Sequence, residues 1–96
     1  MNTYMSGARV RSLASFVNVS GVATDPTTVT FKYRAGAGSV QTISSPSHDS
    51  TGAYHFDIDT SGWTGPDNTL YTCEWIGTGT VQAINTDYFE VEPPAL

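Results

Sequence analysis

The feature that most constrains this chain is the run Thr27 to Arg34, TTVTFKYR, in which Val29, Phe31 and Tyr33 alternate with Thr28, Thr30, Lys32 and Arg34. Side chains along a strand change face at every residue, so this spacing predicts a half-buried strand with a wet outer face. A helix would scatter the same apolar residues around its axis. Two further stretches repeat the pattern. Ala53 to Ile58 sets Tyr54, Phe56 and Ile58 inward against His55 and Asp57, and Thr69 to Ile76 sets Tyr71, Cys73 and Trp75 against Leu70, Thr72, Glu74 and Ile76.

Turn chemistry separates these segments. AGAG after Arg34 predicts a hairpin back into a short strand at Ser39 to Ile43, and GTGT at Gly77 to Thr80 predicts a second reversal, with no helix start to hold a phosphate. Val10 to Val19 reads as a strand whose two sides are not cleanly divided. Val81 to Ile84 and Tyr88 to Glu92 read as separate strands, the latter with Phe89 and Val91 inward, before Pro93 and Pro94 stop pairing. Ser44 to Gly52, SSPSHDSTG, has no apolar residue and reads as an exposed loop. The sum is about seven short strands with turn signals every 8 to 12 residues, the pattern of an all-β sandwich.

Composition narrows the function classes. A chain of 96 residues makes one domain, and its core must come mainly from eleven aromatics with scattered Val, Ile and Leu. Cys73 is alone, so no intrachain disulfide can form. Four Lys and Arg face nine Asp and Glu, a net charge of -5, which argues against nucleic acid or an anionic membrane as partner. No window resembles a membrane span or an export signal, so the reading expects a product not exported by the general route.

The chemically suggestive residues all have a plainer meaning beside the functional one. His55, Asp57 and Asp59 share one strand face, but successive same-face residues lie about 6.5–7 Å apart, long for one small ion, and no second His or spaced Cys completes a set. His48 and Asp49 stand among Ser45, Ser47 and Ser50, yet that stretch has no apolar anchor to hold a triad rigid and the chain has no G-x-S-x-G elbow. Cys73, between Tyr71 and Trp75, reads as a small core hydrophobe. No cofactor or metal is expected. Trp63, within GWTGPDN, either stacks on a sugar ring or partner pocket or folds back to cap the sandwich.

The ordered set VRSLASF, TDPTTVTFKYR, DSTGAYHFDID, EWIGTG and YFEV, running from Val10 to Val91, resembles a family of small immunoglobulin-like proteins encoded by tailed bacteriophages and prophages, often among their structural genes. The resemblance rests on the Asp-Pro-Thr-Thr-Val strand opening, the Asp-Ser-Thr-Gly-x-Tyr turn and the Trp-x-Gly-Thr-Gly hairpin; GWTGPDNTLYTCEW departs from it. It implies an immunoglobulin-like β-sandwich of about seven antiparallel strands and a non-enzymatic virion component assembled in the bacterial host cytoplasm. On this reading residues 10–92 form the domain, flanked by an N-terminal arm at 1–9 and a tail at 93–96. The expected role is capsid decoration on the outside of the particle, bound to the major capsid protein or another virion protein, with self-association at capsid symmetry centres. A head-to-tail or tail accessory module is the alternative, and a carbohydrate- or cell-surface-binding module using Trp63 is another. Partner contacts are expected from Met1, Tyr4, Met5 and Arg9 in the arm, and from Lys32 and Arg34, which either meet an acidic partner or simply form a solvated face.

Overall fold

The computed structural model describes residues 2–61 and 67–93, and all the regular structure there is β-strand. In chain order the strands are β1 (Asn2–Met5), β2 (Arg9–Ser15), β3 (Thr28–Ala35), β4 (Gln41–Ile43), β5 (Ser47–Ser50), β6 (Ala53–Asp59), β7 (Thr69–Thr78) and β8 (Ala83–Glu92). They form two sheets: five strands in the order β1-β8-β7-β3-β4, and three in the order β2-β6-β5.

The strongly alternating segments fold as their spacing predicts. Val29 and Phe31 on β3, Ile58 on β6, and Tyr71, Cys73 and Trp75 on β7 are buried, with Tyr33, Tyr54 and Phe56 packed against them. Facing side chains join the sheets. Trp75 Nε1 donates to Ser12 Oγ at 2.9 Å, a buried bond that sets β2 across from β7. Phe31 lies 4.5 Å from Trp75 and 5.4 Å from Phe56, centroid to centroid, which sets β6 across from β3. The result is two layers sharing one aromatic core, a sandwich-like architecture.

Four expectations are corrected. Asn2–Met5 is not a free arm but an edge strand, and it pairs with β8 in parallel, so the strands are not all antiparallel. Only Tyr4 in that segment turns inward, edge-on to Phe89 at 5.6 Å, which leaves no alternation to read. The expected loop at Ser44 to Gly52 contains β5, exposed at every position; backbone pairing to β6 makes it a strand without any apolar side chain. The two short strands expected near the C-terminus are one continuous β8. Conversely β2 ends at Ser15. Past Phe16 the chain turns, with the Asn18 side chain accepting the N–H groups of Ser20 and Val22 at 2.9 and 3.1 Å, and Val17 and Val19 are exposed.

Candidate functional site

The outer face of the five-stranded sheet brings together the two sequence-expected contact residues on β3. Lys32 sits opposite Glu74 of β7, and Arg34 opposite Thr72. With Tyr33 and Val40 these residues line a shallow depression of about 330 Å³. Among the described residues no carboxylate stands within ion-pair distance of Lys32 or Arg34. Val40 and Ile84 add exposed apolar surface to the same sheet, and Ile84 extends the row Thr30, Ile76, Ile84 across three strands.

The other two basic residues are differently placed, on the outer face of the three-stranded sheet. Arg11 grips Asp57 of β6 through two bonds of 2.8 and 3.1 Å, which holds the Asp57 carboxyl below its ordinary value. Arg9 lies across from Asp59. Arg11 is therefore neutralised by a direct ion pair, whereas Lys32, across from Glu74, and Arg34, across from Thr72, form none among the described residues.

Of the N-terminal candidates, Met1 lies outside the described residues, Tyr4 is half-buried against Phe89, and Met5 is exposed. Arg9 is on the other sheet, beyond a turn closed by the Ala8 N–H to Met5 carbonyl bond of 3.0 Å, so the fold does not gather these residues into one flexible hook. Trp63 also lies outside the described residues.

The histidine and acid clusters serve the scaffold. His55 Nδ1 is 2.6 Å from Asp49 Oδ1, Asp57 is held by Arg11, and Asp59 accepts the Ser61 N–H at 2.9 Å, so the His55, Asp57, Asp59 row is drawn to three different neighbours. His48 does not pair with its neighbour Asp49. Its Nε2 lies 3.1 Å from Asp25 Oδ1, and its ring packs 4.8 Å from Tyr54. Asp25 Oδ1 also accepts the Gly52 N–H at 2.6 Å, and this bond is the first cause of the lowered Asp25 carboxyl.

Through these contacts the three turn motifs meet at one end of the molecule. Asp25 of the DPTTV motif binds Gly52 of DSTG, while Thr80 of the hairpin donates through Oγ1 to the Asp25 carbonyl at 2.8 Å. Glycine is required at two of these joints. Gly52 has φ +74 and a Cβ there would sit 2.5 Å from the Phe16 carbonyl oxygen; Gly79 has φ +87 and a Cβ would collide with Thr27. The motifs are a clasp between loops rather than a binding site.

Sequence reading missed one surface altogether. The inward positions of β8 beside Cys73 and Trp75 are Asp87 and Asn85, and both are exposed. Cys73 itself is buried, and burial pushes its thiol up to about 12, so it is inert as a nucleophile in the folded chain. The signal that would have found the gap is the polar pair at alternate positions, N-x-D, directly preceding the apolar pair Phe89 and Val91. Comparison with protein-family models, with curated proteins and with solved structures finds no match to this chain.

Proposed function

We propose that this chain is an immunoglobulin-like virion structural protein, non-enzymatic, that decorates the outside of a tailed-phage capsid. The observation that carries the fold half of this reading is strand order. Lettered A′, B, C, C′, D, E, F and G from β1 to β8, the sheets read A′GFCC′ over BED, an order that supports an immunoglobulin-like sandwich with C′ added to the larger sheet and no A strand beside B in the smaller one. Tyr71 stands two residues before the buried Cys73 on β7, the spacing of the tyrosine and second cysteine of that fold. One departure is informative: instead of a disulfide between B and F, the Trp75 indole on β7 bonds Ser12 on β2. This suits a chain with a single cysteine.

The particle-bound role draws its support from the resemblance of the joined turn motifs, and from a surface built for contact. Lys32 and Arg34, without an ion pair among the described residues and beside Val40 in one depression, with Ile84 exposed further across the same sheet, offer cations and apolar area on the outer face of the larger sheet, a combination suited to an acidic patch on a neighbouring virion protein. Quantitative mass spectrometry of purified particles of the encoding phage tests it. Copy number matching the capsid lattice is the expected result; a copy number of tail stoichiometry would move the protein to the tail, and its absence would overturn the reading. Lys32→Glu with Arg34→Glu is expected to lower occupancy on the particle while leaving the thermal midpoint of the free chain unchanged.

A further inference from the structure

The two sheets are unequal, and the larger overhangs the smaller on one side. β2 lies across from β7, as the Trp75 to Ser12 bond fixes, and nothing among the described residues pairs with the far edge of β2. The strand that would lie there would cover β8. Its place is a cleft of about 250 Å³ between β2 and β8, with Tyr4, Val10, Cys73, Asp87 and Phe89 among its walls.

The backbone of β2 faces this cleft with half of its polar groups. The Phe16 N–H donates to the Gly52 carbonyl at 2.7 Å and the Ala8 carbonyl accepts the Thr60 N–H at 3.3 Å, so even-numbered residues point their main-chain groups at β6 and its flanks. In an antiparallel ladder the direction alternates, which turns the N–H and C=O groups of Arg9, Arg11, Leu13 and Ser15 toward the cleft. The other edges of the sandwich are guarded. β1, β4 and β5 have four, three and four residues, and the β5 pairing is broken by a bulge between His48 and Ser50. β2 has seven residues, with no Pro, Gly or bulge, and Leu13 stands 69% exposed along it. Long regular edges of this kind are what sheet proteins ordinarily suppress.

We infer that the β2 edge and the β8 inner face form a strand-accepting groove, filled by one extended segment of another polypeptide that adds to the three-stranded sheet. A second copy pairing through its own β2 does not fit. Its own β2 is roofed by its own β7, and pairing the two β2 edges would drive that β7 into the space held by β8. The groove also states the chemistry of its guest. Asp87 has no cation partner among the described residues, whereas Phe89 and Tyr4, one step further along the inner face, are aromatic. The guest strand carries a basic side chain facing Asp87 and an apolar one two residues away, against the half-buried Tyr4 that packs over the buried Phe89, with main-chain bonds supplying most of the attachment. The inference needs only the two-sheet architecture and is independent of the virion reading.

The test uses the full chain, labelled with nitrogen-15, and a synthetic nine-residue peptide in which threonine alternates with valine and one central lysine. Hydrogen exchange at the amides of Arg9, Arg11, Leu13 and Ser15 is expected to slow when the peptide binds, and replacing the peptide's lysine by glutamate is expected to weaken binding by about tenfold or more. Asp87→Lys is expected to reverse that preference. Leu13→Pro removes a donor that points into the groove, not one bonded to β6, so the variant is expected to stay folded by circular dichroism and lose the peptide. Binding that leaves those four amides unchanged, binding undiminished in Leu13→Pro, or no binding at millimolar peptide would each overturn the inference. So would sedimentation showing a dimer of the chain that Leu13→Pro dissolves, since the groove would then belong to a second copy.

Discussion

Two neighbouring strands of the larger sheet present the same inner face to different surroundings. On β7, Tyr71, Cys73 and Trp75 lie beneath the smaller sheet and are buried; on β8, Asp87 and Asn85 lie directly opposite Cys73 and Trp75 and are exposed. Same face, same sheet and adjacent positions, yet one row is aromatic core and the other is wet. Coverage by the second layer, not membership of a sheet, decides which residues an inward position takes. That contrast locates the groove.

Substitutions across the pair of rows should separate them most sharply. Trp75→Ala removes the largest fully buried side chain and strands the Ser12 hydroxyl; a loss of about 3–5 kcal/mol is expected in urea titrations, against a change within about 0.5 kcal/mol for Asn85→Ala. Equal losses at both positions would mean that β8 is covered after all. The clasp at the end of the molecule should respond next. Gly52→Ala forces a side chain into a left-handed backbone against the Phe16 carbonyl, and a loss of at least about 1–2 kcal/mol is expected by the same titration.

Acid should loosen the clasp and the outer face of the smaller sheet together. Asp25, Asp57 and Asp59 are all held below their ordinary value of 3.8, by the Gly52 N–H, the Arg11 guanidinium and the Ser61 N–H respectively. Groups lowered on folding add stability above the unfolded value and lose it as pH falls through the folded one. Stability is therefore expected to hold down to about pH 4 and fall below it, with a shallower acid limb in Asp25→Asn. The smallest effect is chemical. Cys73 should resist a thiol reagent until the chain unfolds, while a cysteine introduced by Asn85→Cys should react at once with little cost in stability.

The legible part of the fold followed the same rule of coverage. β3, β6 and β7 carry one covered face and one wet face, so period-two alternation alone names their inward residues. β5 is exposed on both faces and β1 turns only Tyr4 inward, so neither leaves a pattern, and both are strands by backbone pairing alone. β8 reads as two strands in the sequence because its middle positions, Asn85 and Asp87, face inward without being buried. Of the candidate contacts, the Lys32 and Arg34 strip follows from parity on one strand. The Asp25 to Gly52 bond joins residues on separate loops, and the groove depends on a strand that the smaller sheet lacks. The bond leaves no local mark, and the groove leaves only the polar pair Asn85 and Asp87 at alternate positions.

The central claim is that β2 is an open edge beside the uncovered middle of β8, at Asn85 and Asp87, and native-state hydrogen exchange along β2 tests it most directly. The amides of Val10, Ser12 and Ala14, bonded to β6, should exchange only with global unfolding, while those of Arg9, Arg11, Leu13 and Ser15 should exchange with little protection. Uniform protection along all seven residues in the free monomer would contradict the account.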